Sequence, residues 1–200
     1  MLEVCSLCFD YQDKPLLEQI NFTLRAGQLL HLRGGNGAGK TTLLKLLAGL
    51  LHPSEGEIRY QGKPVRNNLV IYQQKICYVG HKTGIHPLLT VKENSLFDMH
   101  WGRREVAFDS LLEEFGLQGL DHELCSHLSA GQRRRVGLLR IAMTNARLWL
   151  LDEPLVALDK EAVKVLVGHL EDHLAQGGQV IITSHQKLPL MQADCLEYNL

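Results

Sequence analysis

The run Gly34-Gly35-Asn36-Gly37-Ala38-Gly39-Lys40-Thr41 constrains this chain more than any other feature. It fits G-x-x-x-x-G-K-[ST] and lies between an apolar strand pattern at 29–33 and an apolar helical pattern at 41–51, which Pro53 is expected to close. Glycines let such a loop curl with its N–H groups turned inward, and the helix start adds a favourable dipole for an anion. The lysine then reaches the β- and γ-phosphates, and the hydroxyl after it ligates Mg²⁺. Gly34, Gly35, Asn36, Gly37, Ala38, Gly39, Lys40, Thr41 and Thr42 are therefore the expected nucleotide-binding set. A chance match at average residue usage is on the order of one in a hundred for a chain of this length. The loop alone does not choose among GTPases, kinases and ATPases, but the chain has no N-K-x-D for reading guanine, which favours ATP.

A phosphate loop set between strand and helix needs a sheet to hold it. Short strands are predicted at 2–9, 19–25, 56–60 and 76–80. The middle then turns helical: Thr90-Val91-Lys92-Glu93 and Ser129-Ala130-Gly131-Gln132 are capping boxes, and 105–115 has helical spacing. From 148–151 the rhythm returns to strand, helix at 160–176, a Gly177-Gly178 stop, and strand at 180–183. The expectation is one α/β domain over 1–200, a P-loop NTPase (RecA-like) core with a mixed β-sheet at about 1–85 and 146–200. An inserted α-helical subdomain is expected at about 86–145.

Composition removes several classes of function. Lys plus Arg (21) nearly balances Asp plus Glu (22), for a formal charge of −1, so no whole-surface field favours nucleic acid. Apolar runs such as 43–51 and 148–151 are far shorter than the roughly 20 residues that span a bilayer. The opening Met1-Leu2-Glu3-Val4 lacks the basic stretch and apolar core of a secretion signal, so a cytosolic location with reduced cysteines is expected. Cys5 and Cys8 form a C-x-x-C, but no second pair follows, and in a strand they read as buried or half-buried thiols.

Leu128-Ser129-Ala130-Gly131-Gln132, followed by Arg133-Arg134-Arg135-Val136 and then by Leu148-Trp149-Leu150-Leu151-Asp152-Glu153-Pro154, resembles the signature and Walker B segments of ABC ATPases. Ala130 stands where that family usually has glycine. The resemblance covers nearly the whole chain and implies ATP hydrolysis. In it Thr41 and Asp152 hold Mg²⁺, Glu153 is the general base, Asp159 belongs to the D-loop, His185 is the switch histidine, and Tyr11 is the aromatic that stacks on adenine. A helix starting at Ser129 and running to about Asn145 would be roughly 24 Å long at 1.5 Å per residue. The signature, Leu128 to Gln132, should therefore not reach its own nucleotide. The family's arrangement, a head-to-tail homodimer with ATP between the P-loop of one copy and the signature of the other, is expected here.

In the family a glutamine follows the strand before the helical lobe, whereas here Tyr78-Val79-Gly80-His81 puts His81 at that place. His81 is thus expected to act with the nucleotide in coupling, and to do so with the pH sensitivity of an imidazole. With 80–85, 89–94 and the short length, this departure resembles the ATP-binding subunits of cytochrome c maturation haem exporters. That narrower resemblance implies a CcmB-like integral membrane subunit with CcmC-, CcmD- and CcmE-like proteins. It also implies a peripheral place on the cytoplasmic face of the bacterial inner membrane, and a role in haem delivery or release of a haem-loaded chaperone. An ABC ATPase for another substrate, or a non-transport ABC ATPase, remains open on these residues. His81, His86 and His100 are not expected to be haem ligands, since there is no C-x-x-C-H, and most of the ten histidines are expected to be solvated.

Overall fold

The computed structural model describes residues 1–12, 14–97, 106–186, 188 and 194–200. His100 and Glu105 lie outside the described residues. The strands sort into two sheets by the direction of their pairing. β1 (Leu2–Tyr11), β2 (Lys14–Leu24), β4 (Glu55–Tyr60) and β5 (Lys63–Pro64) form an antiparallel sheet in the order β2-β1-β4-β5. β3 (Gln28–Arg33), β6 (Ile76–Val79), β7 (Leu148–Asp152), β8 (Gln179–Thr183) and β9 (Asp194–Asn199) form a parallel sheet in the order β6-β7-β8-β3-β9.

The central parallel strands β7, β8 and β3 are buried on both faces, while the edge strands β6 and β9 are only partly covered, and the period of two divides the core. Leu148 and Leu150 of β7 and Ile181 of β8 face α1 (Lys40–Leu47) and the antiparallel sheet. Trp149, Leu151, Val180 and Ile182 face the other way, toward the helices. Those helices are α3 (Val91–Phe97), α4 (Phe108–Glu114), α5 (Ala130–Met143) and α6 (Lys160–Ala175), with a short α2 (Leu69–Gln73) beside α1. One apolar cluster joins Leu111, Phe115 and Leu117 of the helical middle to Val136, Leu139, Leu151 and Leu170. Both capping boxes form: the Glu93 carboxylate accepts from the Thr90 N–H at 2.8 Å, and Gln132 Oε1 accepts from the Ser129 N–H at 2.8 Å.

Several boundaries differ from the pattern reading, each for a local reason. α1 stops at Leu47 rather than 51, because Gly49 at φ 68 turns left-handed; its N–H donates to Leu46 O at 3.0 Å and that of Leu50 to Lys45 O at 2.9 Å. β2 begins at Lys14 rather than 19, and β5, β9 and α2 were not anticipated. In β1, Leu2 and Val4 point inward, so Cys5 between them and the bulge is exposed; Ser6 at φ 45 then slips the alternation, so Leu7 points inward and Cys8 is half-buried. Cys5 is thus not a core thiol as expected, and both cysteines are free. No helix among the described residues is long and apolar enough to cross a membrane.

His173 of α6 stacks on Trp149 of β7, with ring centroids 3.8 Å apart and planes 9° apart. Burial pushes its imidazole down from 6.5 to about 4. The unfolded chain takes up this proton below about pH 6.5 and the folded chain only near pH 4, so the stability present above 6.5 falls as pH drops between them. Denaturant melts should show about 2 kcal/mol lost through this group between pH 7 and 5. His173→Phe, which keeps the stacked ring without a titrating nitrogen, should flatten that part of the slope; an unchanged slope would rule the contribution out.

Candidate functional site

The P-loop follows the carboxyl end of β3 and opens α1. Gly39 is the N-cap of α1 at φ 94, and a Cβ there would sit 2.7 Å from Leu17 Cδ2, so only glycine fits. Having no side chain, it leaves the first-turn N–H groups of α1 without a side-chain cap. The Lys40 ammonium lies over the loop, donating to Gly34 O at 2.7 Å and Gly35 O at 2.9 Å. These groups make the loop an anion cradle.

Asp152 ends β7 and is buried, and both of its carboxylate oxygens are held. The Thr41 hydroxyl donates to Oδ2 at 2.8 Å and the Thr183 hydroxyl to Oδ1 at 2.8 Å. The Thr183 oxygen in turn accepts from the Glu153 N–H at 2.8 Å. A chain of bonds therefore runs from α1 through the ends of β7 and β8 to Glu153. Thr41 and Asp152 supply hard oxygen donors side by side, which suits a small divalent cation such as Mg²⁺. No cluster of three or more His, Cys, Asp or Glu is placed to hold a metal among the described residues, so a cation here would take its other ligands from phosphate and water.

Glu153 adopts φ 50, a left-handed backbone that costs a non-glycine residue on the order of 1–3 kcal/mol. Its Oε1 is buried without a hydrogen-bond partner. His185 Nε2 stands 3.6 Å from that oxygen, beyond hydrogen-bond length, with its ring largely exposed. A buried carboxylate oxygen without a donor keeps an unused capacity to accept a proton from a water that reaches it.

Asn36 to Thr42, His81, Asp152, Glu153 and His185 line one cavity of about 380 Å³. Sequence reasoning therefore named most of its wall. Tyr11, 62% exposed at the end of β1, is not among the lining residues, whereas Leu16 of β2 is. The signature does not line it either: Ala130 borders a separate cavity of about 500 Å³ with Arg133, Arg134, Val156, Ala157 and the loop 81–85. Among the described residues His81 alone borders both. Leu128 is buried, Ser129 and Gln132 form the capping box, and a Cβ on Gly131 would meet Ala157 O at 2.9 Å. Asp159 caps α6, accepting from the Ala162 N–H at 2.9 Å. A larger cavity, about 710 Å³, opens beyond the amino end of β7 beside Trp149 and contains none of the expected nucleotide-binding, metal-binding or catalytic residues. The pattern reading missed Thr183, buried between Asp152 and Glu153, and Arg134, buried on α5. A hydroxyl closing an otherwise apolar strand was the one available sign of Thr183.

Comparison with known proteins agrees with this geometry. The ABC transporter family profile matches residues 17–156. The cytochrome c biogenesis ATP-binding export protein CcmA of Legionella pneumophila (strain Lens) is 52% identical over 200 residues, covering all of both chains. The protein of the same name from Salmonella typhi is 42% identical over 189 residues, covering 94% of this chain and 91% of its own. Among solved structures, an ATP-binding subunit of an ABC transporter superposes with a TM-score of 0.82 at 28% identity, over 92% of this chain and 79% of that one. A Pyrococcus furiosus chain described as an ABC transporter ATP-binding protein gives a TM-score of 0.82 at 31% identity, over 100% of this chain and 96% of that one.

Proposed function

Because the chain belongs to the ABC transporter ATP-binding family, we propose that it is the ATP-hydrolysing subunit of a membrane machine for cytochrome c biogenesis. The observation that carries the ATPase reading is the bonded chain from Thr41 through Asp152 and Thr183 to Glu153, with an unpartnered carboxylate oxygen at its end. Lys40 and the N–H groups of the P-loop hold the phosphates of ATP. Thr41 and Asp152 hold Mg²⁺, which would neutralise phosphate charge when bound. Glu153 Oε1 takes a proton from a water as the water oxygen bonds to the γ-phosphorus. The bond from that phosphorus to the bridging oxygen breaks, leaving ADP and phosphate. His185 steadies the same water or the γ-phosphate from the exposed side, and Tyr11 stacks on adenine beyond the cavity wall.

The separation of the signature from the P-loop cavity supports a homodimer in which Leu128, Ser129, Ala130, Gly131 and Gln132 complete the partner copy's phosphate site, with Asp159 near the seam. His81, bordering both cavities, occupies the place from which nucleotide state reaches an integral membrane subunit of the CcmB kind. CcmC-, CcmD- and CcmE-like proteins complete the assembly, and the chain lies peripherally on the cytoplasmic face of the bacterial inner membrane. Its turnover drives haem delivery or release of a haem-loaded chaperone. The relatives named for cytochrome c biogenesis support this setting.

Purification of the native chain from a detergent extract, with ATPase assay of what elutes, tests the proposal. The expected result is a Mg²⁺-dependent ATPase that brings down a multi-spanning membrane protein together with haem-handling proteins. Co-elution with the permease of an unrelated solute would refute the cytochrome c setting, and absence of ATP turnover would refute the enzymatic reading.

A further inference from the structure

Arg134 lies on α5 within the turn after the capping box and is 5% exposed. A guanidinium has five N–H donors, and here all of them reach backbone carbonyls. Nε donates to Pro154 O at 3.3 Å; Nη1 donates to Gly80 O at 3.0 Å and His81 O at 3.3 Å. Nη2 donates to Asp152 O at 2.9 Å and Glu153 O at 2.6 Å. One side chain thus ties the segment after β6, which carries His81, to the turn after β7, which carries Glu153.

Burying a cation among carbonyls is costly, and nearby Asp152 and Glu153 only partly offset the desolvation. A neutral side chain would avoid that cost but would lack a rigid planar fork able to bridge two loops at once. The bridge also falls on the strained residue. The Glu153 N–H is held by Thr183 and its carbonyl by Arg134, so the left-handed turn is clamped on both sides. Close approach fixes α5 itself against both loops. A Cβ on Gly131 would lie 2.9 Å from Ala157 O, and one on Gly137 would lie 2.8 Å from Thr83 Cβ.

We propose that Arg134 is a positioning residue for hydrolysis, holding the Glu153 carboxylate and the His81 segment in one fixed relation to the helix that carries the signature. A shift of that helix or of the His81 segment then moves the base. The inference rests on Glu153 being the base, as proposed above. It makes Arg134 the mechanical link between the partner-facing helix and the chemistry, without itself touching the nucleotide.

The test uses the full chain in its membrane complex, with Arg134→Lys, Arg134→Gln and Glu153→Gln measured side by side for ATP dependence of turnover, ATP binding and melting temperature. Misplacing a catalytic group by about 1 Å costs roughly 100-fold, so Arg134→Gln should lower kcat by about 10- to 100-fold while KM for ATP stays within about three-fold. Arg134→Lys keeps the charge and three donors and should recover part of the loss. Parent-like kcat in both Arg134 variants, with Glu153→Gln inactive, would overturn this proposal alone. So would a kcat loss matched by an equal loss of ATP affinity and a collapse in melting temperature, since that is the mark of a purely structural residue. Undiminished turnover in Glu153→Gln would overturn the reading of the base, and this proposal with it.

Discussion

Glu153→Gln is expected to bind ATP about as well as the parent while hydrolysing it some 10² to 10⁴ times more slowly, the range a positioned general base contributes. The amide keeps the size of the side chain and can still hold a water, but it cannot accept the proton that the attacking oxygen must lose. The backbone should be undisturbed, because the bonds that fix the turn are made by the Glu153 N–H to Thr183 and by its carbonyl to Arg134, not by the carboxylate. Oε1 has no partner inside the protein, so the substitution breaks no internal hydrogen bond of that oxygen. ATP should accumulate unhydrolysed, and a signature-to-P-loop dimer held together by it should become detectable by light scattering. Rapid-quench measurement of a single turnover separates chemistry from product release. A single-turnover rate equal to the parent's would make another group the base, with His185, 3.6 Å from the same oxygen, the first to test.

Lys40→Ala should weaken ATP binding by about 10- to 100-fold, the value of a hydrogen bond to a charged group at 1.5–3 kcal/mol, and should remove hydrolysis beyond that loss. The ammonium rests on the carbonyls of Gly34 and Gly35 in this structure, in a loop open to solvent. Its removal leaves those acceptors to water, and the melting temperature should move little. Binding measured with a fluorescent ATP analogue, beside steady-state turnover at saturating ATP, distinguishes the two effects. Turnover near the parent's at saturation would mean that Lys40 only helps ATP to bind and contributes nothing to the transferring phosphate. That result would contradict the phosphate chemistry on which the site was read.

The local half of this protein was written in its sequence. A glycine-rich loop, a capping box and an alternating apolar strand each depend on residues within a turn or two of one another. That is why the P-loop, the starts of α3 and α5, and the apolar strands at the centre of the parallel sheet could be read directly. Asp152 and Glu153 were legible as two acids closing an apolar strand, but the left-handed turn at Glu153 was not, since a residue before proline ordinarily stays extended. Even the shorter α1 had its cause nearby, in the left-handed turn at Gly49 rather than in Pro53.

What only the tertiary structure decided depends on pairs far apart in the chain. The division into an antiparallel and a parallel sheet is set by which strands meet, and β9 reaches its place by pairing with β3 from the opposite end of the sequence. The slip at Ser6, which brings Leu7 inward after Leu2 and Val4, falls where β1 shifts register against both of its neighbours, β2 and β4. Arg134 looked like one of three consecutive arginines beside the signature. Its burial against Gly80, 54 positions earlier, and Asp152, 18 positions later, follows from packing that no local pattern encodes. Thr183 likewise read as the end of a strand until β8 was laid beside β7 and its hydroxyl met both Asp152 and the Glu153 N–H. Residue types and short spacings specify which groups can do chemistry, while the distance between two loops such as those joined by Arg134 arises only when the sheet closes and brings remote segments together.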